Sequence, residues 1–248
     1  MIQGVSEVRD AYRNERVAAD YVDQRFREPL GALLHRRQVA VLRDVIATTQ
    51  PRRVLEIAPG PARLTTDVAP LLKRKPVVVD ASAQMLAQAR RRLFAVGQSA
   101  RLLQGDAFQL PFAARFDLAY TFRLIRHFEL ADRMRLYRQI AKVLRPGGLF
   151  VFDAVNEVVS APLRRRSKPG EHVHFDALLR PETLTRELVE SGFRVVSLVG
   201  VQHRYQWLYR VQTLIAPRSR ILATGTMAMV DSLGGGEPLE WVVVCRRA

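Results

Sequence analysis

Val54-Leu55-Glu56-Ile57-Ala58-Pro59-Gly60-Pro61-Ala62-Arg63-Leu64-Thr65 is the stretch of this chain that decides its fold. Residues 54–57 form a short apolar run with one acid, which is typical of a buried parallel strand. A turn of small residues follows, and helical spacing resumes at Arg63. A strand, a small-residue turn and a helix make one half of a nucleotide-binding βαβ unit. The stretch therefore predicts a ligand against this turn, where the first N–H groups of the helix are unpaired.

The glycine pattern of the turn distinguishes two kinds of nucleotide site. The dinucleotide fingerprint G-x-G-x-x-G requires glycines that this turn lacks. The pattern that is present, Glu56-x-Ala58-x-Gly60-x-Ala62, resembles motif I of the class I S-adenosylmethionine-dependent methyltransferases, usually written E-x-G-x-G-x-G. Alanine stands at two of the three glycine positions, and alanine resists the positive φ angles that glycine adopts freely. The geometry of the turn is therefore where the chain departs from the family pattern.

Further features follow in the order and spacing of that family. Asp80 ends a second apolar strand, Gly105-Asp106-Ala107-Phe108 follows a third, Phe116-Asp117 opens a fourth, and Leu144-Arg145-Pro146-Gly147-Gly148 ends the next helix. The resemblance is continuous over residues 52–153 and extends to the last predicted strand. It implies an α/β fold with a Rossmann-like, doubly wound sheet of seven strands, mainly parallel, with an antiparallel last strand.

Asp80 lies at the tip of the second predicted strand, on the same sheet edge as the Gly60 turn. Ligands bind at this edge of open parallel sheets. A carboxylate there can accept hydrogen bonds from both ribose hydroxyls of a nucleoside, whereas a cap on the following helix is the alternative role. The resemblance adds that an acid at the position of Asp106 contacts the adenine amino group.

The resemblance implies S-adenosyl-L-methionine as the cofactor and a set of residues around it. Tyr12, Tyr21 and Arg25 lie in a predicted N-terminal helix, where stacking on the cofactor and binding of its carboxylate compete with simple helix packing. The other expected cofactor residues follow the strands: Glu56, Ala58, Pro59, Gly60, Asp80, Ala81, Met85, Gly105, Asp106, Ala107, Phe108, Phe122 and Arg123.

The acceptor side has fewer candidates. His127 follows the fourth predicted strand, where the family often places residues facing the methyl group, and its imidazole titrates near neutrality. Asp153 and Asn156, at the tip of the fifth strand, are the rival polar groups. His172 and His174 alternate along an extended segment and could face one side. No third ligand stands at recognisable spacing beside them, so we expect no metal.

Composition restricts the classes of protein to which this chain of 248 residues can belong. Cys245 is the single cysteine, which excludes an internal disulfide. No run approaches the length of a membrane span and the first residues lack a signal-peptide pattern, so we expect a cytoplasmic protein. The formal net charge of +15 comes mostly from arginines, many of them isolated on helix faces. A solvated basic face is one interpretation, and a nucleic-acid track is the other.

We therefore expect a single methyltransferase domain over residues 1–248. Residues 1–50 would form a helical cap, residues 51–154 the cofactor-binding half, and residues 155–248 a substrate-side half with inserts. The predicted reaction is O-, N- or C-methylation of a small-molecule acceptor. The alternatives are an RNA or protein methyltransferase, and a catalytically inactive S-adenosylmethionine-binding protein that acts in regulation or assembly.

Overall fold

A computed structural model describes residues 26–166 and 175–248 of the chain. Its strands are β1 (Val54–Ile57), β2 (Val77–Asp80), β3 (Arg101–Gln104), β4 (Phe116–Thr121), β5 (Leu144–Asn156), β6 (Leu178–Leu179), β7 (Phe193–Val201) and β8 (Glu240–Arg247). Its helices are α1 (Pro29–Thr49), α2 (Arg63–Val68), α3 (Ala83–Ala95), α4 (Leu130–Val143), α5 (Glu157–Arg165), α6 (Pro181–Glu190), α7 (Tyr205–Leu214) and α8 (Arg220–Ser232).

The strands form one sheet in the order β3-β2-β1-β4-β5-β8-β7, and β6 pairs with β5 beside this path. The first five strands pair in parallel, and β8 is antiparallel to both β5 and β7. The predicted parallel sheet with an antiparallel last strand is confirmed. Within the described residues, the two-residue strand Leu178–Leu179 is added to the seven predicted strands.

The order of the strands reverses between β1 and β4. From β1 the chain proceeds outward to β2 and β3, and it then returns to place β4 on the other side of β1. Neighbouring crossovers therefore lie on opposite faces of the sheet, and their loops separate at the carboxyl ends of β1 and β4. Such a switch point leaves a crevice for a ligand.

Apolar side chains fill both faces of this sheet. One face carries the aromatic side chains of Tyr137 from α4 and of Phe150 and Phe152 from β5, all fully buried. On the other face, α1 packs Leu42 and Ile46 against the strands. This helix, the described part of the predicted cap, therefore forms part of the core. None of the described helices is both long and apolar enough to cross a membrane.

Candidate active site

A cleft opens at the carboxyl ends of β1 and β2, at the switch point. Every predicted cofactor residue within the described part of the chain lines it, and Tyr12, Tyr21 and Arg25 lie outside the described residues. The cleft walls also include side chains that were not predicted as cofactor residues: Arg63, Leu64, Val79, Ser82, Leu124, His127 and Phe128.

The turn after β1 keeps a left-handed backbone at its alanines. Ala58, Gly60 and Ala62 have φ angles of 50°, 57° and 54°. Each alanine in this region costs about 1–2 kcal/mol. The N–H of Ala58 donates to the carbonyl of Val79 at 2.7 Å, which anchors the turn to β2. The alanines therefore adopt the conformation for which the family pattern has glycine.

Asp80 is held at the lip of the cleft by two backbone groups. Its Oδ2 accepts from the N–H of Gly60 at 3.0 Å, and its Oδ1 accepts from the N–H of Ser82 at 2.8 Å. Burial raises the pKa of Asp80 to about 6, and these backbone hydrogen bonds oppose that rise. A carboxylate offers about four acceptor positions, so each oxygen can still accept from a ligand hydroxyl.

Glu56 lies beneath the turn, where it is almost completely buried. The hydroxyl of Tyr120 donates to its Oε2 at 3.2 Å, and Thr65 Oγ1 lies 3.4 Å from the same hydroxyl. Burial raises the pKa of Glu56 to about 8, against the lowering influence of Tyr120 and Arg63. A group with this pKa is mainly protonated at neutral pH, so Glu56 supports the turn as a largely uncharged side chain.

Glu56→Gln should make the protein more stable at alkaline pH. Between pH 4.5 and about 8 the folded carboxyl keeps its proton while the unfolded one ionises, so rising pH favours unfolding of the wild type. The glutamine of the variant does not ionise, so this loss of stability with rising pH is absent from it. Between pH 4.5 and about 8 the unfolding free energy of the variant should therefore rise relative to that of the wild type by at least about 1.4 kcal/mol, the equivalent of one pKa unit. Urea unfolding across this pH range measures the difference. If the unfolding free energies of the two proteins change in parallel with pH, Glu56 does not have a raised pKa in the folded state.

The far end of the cleft is built around Gly105 and Asp106. A Cβ on Gly105 would lie 3.1 Å from Val79 Cγ1, so glycine permits the close approach of this loop to β2. Asp106 Oδ1 accepts from the N–H of Phe108 at 2.9 Å. The Phe108 ring packs edge-on against Phe128, with centroids 5.1 Å apart. This end therefore combines a carboxylate with an apolar wall.

Comparison with known proteins agrees with this geometry. Residues 54–148 match the family model described as a methyltransferase domain. A Mycobacterium tuberculosis protein named as a probable S-adenosylmethionine-dependent methyltransferase is 29% identical over 169 residues, which are 68% of this chain and 58% of that protein. Residues 54–148 therefore carry a methyltransferase domain that is similar to S-adenosylmethionine-dependent methyltransferases.

Two further matches to this chain differ in scope. Demethylmenaquinone methyltransferase of Thermus thermophilus is 36% identical over 130 residues, which are 49% of this chain and 54% of that enzyme. The chain thus spans less than two thirds of the length of these curated relatives. The fold is similar to the crystal structure of magnesium protoporphyrin IX methyltransferase from Synechocystis with bound SAH, with a TM-score of 0.70. The match covers 99% of this chain and 100% of that enzyme's chain. At 11% identity, this likeness supports the fold alone.

His127 is the one histidine among the described residues that line the cleft. Its Nδ1 lies 3.1 Å from the carbonyl oxygen of Phe175, which can only accept, so a neutral imidazole carries its proton on Nδ1. Its Nε2 is buried and has no hydrogen-bond partner among the described residues. Burial lowers the pKa of His127, and Arg126 and Arg123 act in the same direction against Phe175 and Asp176. The Nε2 lone pair therefore receives no hydrogen bond from the described residues.

Asp153 does not line the cleft, so its proposed catalytic role requires correction. Its Oδ1 accepts from the N–H of Arg123 at 2.6 Å, and its Oδ2 pairs with the Arg126 guanidinium at 2.5 Å. Burial raises its pKa, but Arg126 and the Arg123 N–H outweigh that effect and hold the pKa below its ordinary value. An ionised carboxylate with both oxygens engaged positions the turn after β4 and is not available as a base.

Asn156 also serves the fold. It is fully buried at the start of α5, where its Oδ1 caps the N–H of Val158 at 3.0 Å. Its Nδ2 donates to the carbonyl of Pro238 at 2.8 Å and to Glu237 Oε2 at 3.0 Å. These bonds leave no role in the cleft for Asn156. The other two predicted acceptor residues, His172 and His174, lie outside the described residues.

Arg63 is a cleft residue that the sequence reasoning missed. Its guanidinium lies 3.9 Å from the centre of the Phe26 ring, and its Nη2 donates to Gln38 Oε1 at 2.8 Å. His35 contacts it from α1 and also bonds Asp67 Oδ2 at 2.8 Å. The signal was its position one residue after the motif, but its partners on α1 are close only in the folded chain.

Proposed function

We propose that this protein transfers a methyl group from S-adenosylmethionine to a small-molecule acceptor. The observation that carries the proposal is Asp80, a carboxylate fixed by the Gly60 and Ser82 amides at the lip of a cleft. In this role it holds the ribose hydroxyls, while Asp106 at the far end binds the adenine amino group. The cofactor supplies an electrophilic methyl group on a sulfonium. The chain contributes alignment, which can lower such a barrier by several kcal/mol.

The distribution of charge supports a small acceptor over a nucleic acid. A dense group of cations surrounds the amino ends of β1 to β4 and comprises Arg52, Arg53, Lys73, Arg74, Lys75, Arg101 and Arg115. The cleft opens at the carboxyl ends of the same strands, about 13 Å away for a four-residue strand. A polyanion bound at the cations would lie at the opposite edge from the cofactor. The name of the Thermus relative, a demethylmenaquinone methyltransferase, also favours a small acceptor.

Calorimetry followed by a methylation screen tests this function. We expect S-adenosylmethionine and S-adenosylhomocysteine to bind, and labelled methyl groups to appear in at least one class of small acceptor. Failure of both cofactors to bind would refute the proposal. Binding without turnover would favour a regulatory role instead. Ala58 and Ala62 depart from the glycine motif, but both adopt the positive φ angles of that motif, which favours an active enzyme.

The proposal also includes the domain organisation and the location of the protein. The chain works as one methyltransferase domain over residues 1–248, and it acts in the cytoplasm. The buried, unpaired Cys245 fits a reducing compartment. Fractionation of cells that contain the tagged protein, with cytoplasmic and envelope markers as controls, tests the location.

Asp106→Ala should weaken S-adenosylmethionine binding more than binding of an analogue that lacks the exocyclic amine. Only the amine donates to a carboxylate, so only the natural cofactor loses a hydrogen bond. We expect a difference of about tenfold between the two ligands, the lower end for a charge-assisted bond. Calorimetric titration of both ligands measures it. Equal weakening would place Asp106 away from the amine and would point to a collapsed loop.

A further inference from the structure

A second cavity lies across Arg126 from the cofactor cleft. The ends of β5 and β8 form its floor, and α5 and α7 form its walls. Arginines and tyrosines dominate the side chains around it, and a buried acid completes the set: Arg126, Arg164, Arg166, Arg210, Tyr205, Tyr209 and Glu240. The function proposed above does not use this cavity.

Its floor contains a donor and an acceptor without partners. Arg126 and Glu240 are each 4% exposed and pair with each other, Nη2 to Oε1, at 2.7 Å. Arg126 Nε and Glu240 Oε2 are buried and have no hydrogen-bond partner among the residues that the structure describes. Buried polar groups are nearly always satisfied by protein, ordered water or ligand. An occupant that both accepts and donates would satisfy these two atoms.

The walls determine the charge and shape of that occupant. Arg126 and Arg164 pair with carboxylates, whereas Arg166 and Arg210 form no salt bridge among the described residues, so the surplus charge of the cavity is positive. Tyr205 and Tyr209 place their rings with centroids 6.2 Å apart and tilted by 32°. Aromatic and aliphatic walls favour a flat apolar body, while arginines favour an anionic group on its rim. An aromatic acid combines both properties.

Two chains of polar contacts join this cavity to the cofactor cleft. Asp176 bonds Arg164 at 2.6 Å on the cavity side, and its other oxygen lies 3.4 Å from His127 Nδ1 on the cleft side. Asp153 similarly connects Arg126 with the backbone of Arg123. A single layer of side chains therefore separates the two sites. A ligand in the second cavity would touch Arg164 and Arg126, and their partners Asp176 and Asp153 would carry its effect to His127 and to the turn after β4.

We infer that the second cavity is a separate ligand site beside the cofactor cleft and that it binds aromatic carboxylates. Its effect on methyl transfer rests on the function proposed above. The guanidinium groups of Arg166 and Arg210 attract the carboxylate, and the tyrosine rings hold the flat body of the ligand. Hydroxyl groups on that body would satisfy Arg126 Nε and Glu240 Oε2.

Binding of 2-naphthoate and of 2-naphthamide tests the inference. The two probes have the same size and differ in charge. Relative to wild type, Arg166→Gln/Arg210→Gln should bind 2-naphthoate about tenfold more weakly, the scale of a lost charge-assisted bond, and should bind 2-naphthamide unchanged. Both arginines are exposed, so the fold should persist. Arg91→Gln, on the exposed face of α3, is the matched control and should alter neither probe.

Calorimetry with S-adenosylhomocysteine separates this inference from the function on which it rests. We expect every variant to bind S-adenosylhomocysteine with the affinity of the wild type. We also expect 2-naphthoate to bind to protein that is saturated with S-adenosylhomocysteine. Competition between the two ligands would place the probe in the cofactor cleft and overturn the inference. Equal affinity of the wild type and the double variant for 2-naphthoate would also overturn it. If S-adenosylhomocysteine fails to bind the wild type, the methyltransferase function itself is wrong, whatever the probes do.

Discussion

Asp80→Ala is expected to lower the affinity for S-adenosylmethionine by about 100-fold or more, while the protein stays folded. The substitution removes the acceptor of both ribose hydroxyls, and each charge-assisted hydrogen bond contributes about 1.5–3 kcal/mol. It also frees the N–H groups of Gly60 and Ser82, which the carboxylate holds at 3.0 and 2.8 Å. Calorimetric titration measures the affinity, and circular dichroism verifies the fold.

A matched aspartate gives the control for this experiment. Asp132 lies on α4 and pairs with Arg135 on the protein surface at 3.0 Å. Asp132→Ala removes a carboxylate without touching the cleft, so cofactor affinity should equal that of the wild type. Asp80→Asn adds a second comparison because it keeps the size of the side chain and removes the charge. If folded Asp80→Ala binds the cofactor as tightly as Asp132→Ala, Asp80 does not hold the ribose.

The pH dependence of binding tests the same contact independently. Burial raises the pKa of Asp80 to about 6 in the free protein. A carboxylate that accepts from ribose hydroxyls must be ionised, so affinity should be constant above about pH 6 and should fall as the pH is lowered through that value. Asp80→Ala should lack this fall. Binding that strengthens on acidification would contradict the assignment.

The sequence predicted the cofactor end well because its signals are local. Glu56 lies in β1, Gly60 follows it and Asp80 ends β2. The apolar runs of these strands are evident in the sequence, and parallel strands bring their carboxyl ends to one edge. The conformation of Ala58 and Ala62 was not predictable in this way. The structure holds both in the left-handed region, and Ala58 is anchored there by its bond to Val79 across the sheet. Local preference alone would argue against that geometry.

The acceptor side was predicted less well because its contacts are long-range. Asn156 ends β5, whereas Asp153 lies inside the strand because β5 continues past the predicted tip, and the partners of both come from distant parts of the chain. Arg126 follows β4 and Glu237 precedes β8, and only the folded sheet brings them to β5. One local signal was available: an asparagine directly before a helix is a common cap, and Asn156 has that place ahead of α5.

His127→Ala should leave cofactor affinity intact and reduce turnover by about 100-fold or more, the usual scale for loss of a general base. The carbonyl of Phe175 holds the proton on Nδ1, so Nε2 of this cleft-lining histidine keeps a lone pair that no described residue uses. Burial lowers the pKa of this histidine, which keeps the imidazole neutral at neutral pH. Single-turnover methylation of an acceptor with an ionisable hydroxyl or ammonium group measures the effect.

His203 provides the matched control, since its Nδ1 also lies near a backbone carbonyl, that of Gly236 at 3.2 Å, far from the cleft. His203→Ala should keep wild-type turnover. A base must be deprotonated, so wild-type turnover should be lost as the pH falls through the lowered pKa of His127, and the residual turnover of His127→Ala should be flat there. Packing alone would not produce that pH profile. A variant that retains both wild-type turnover and its pH dependence would show that the acceptor loses its proton without His127.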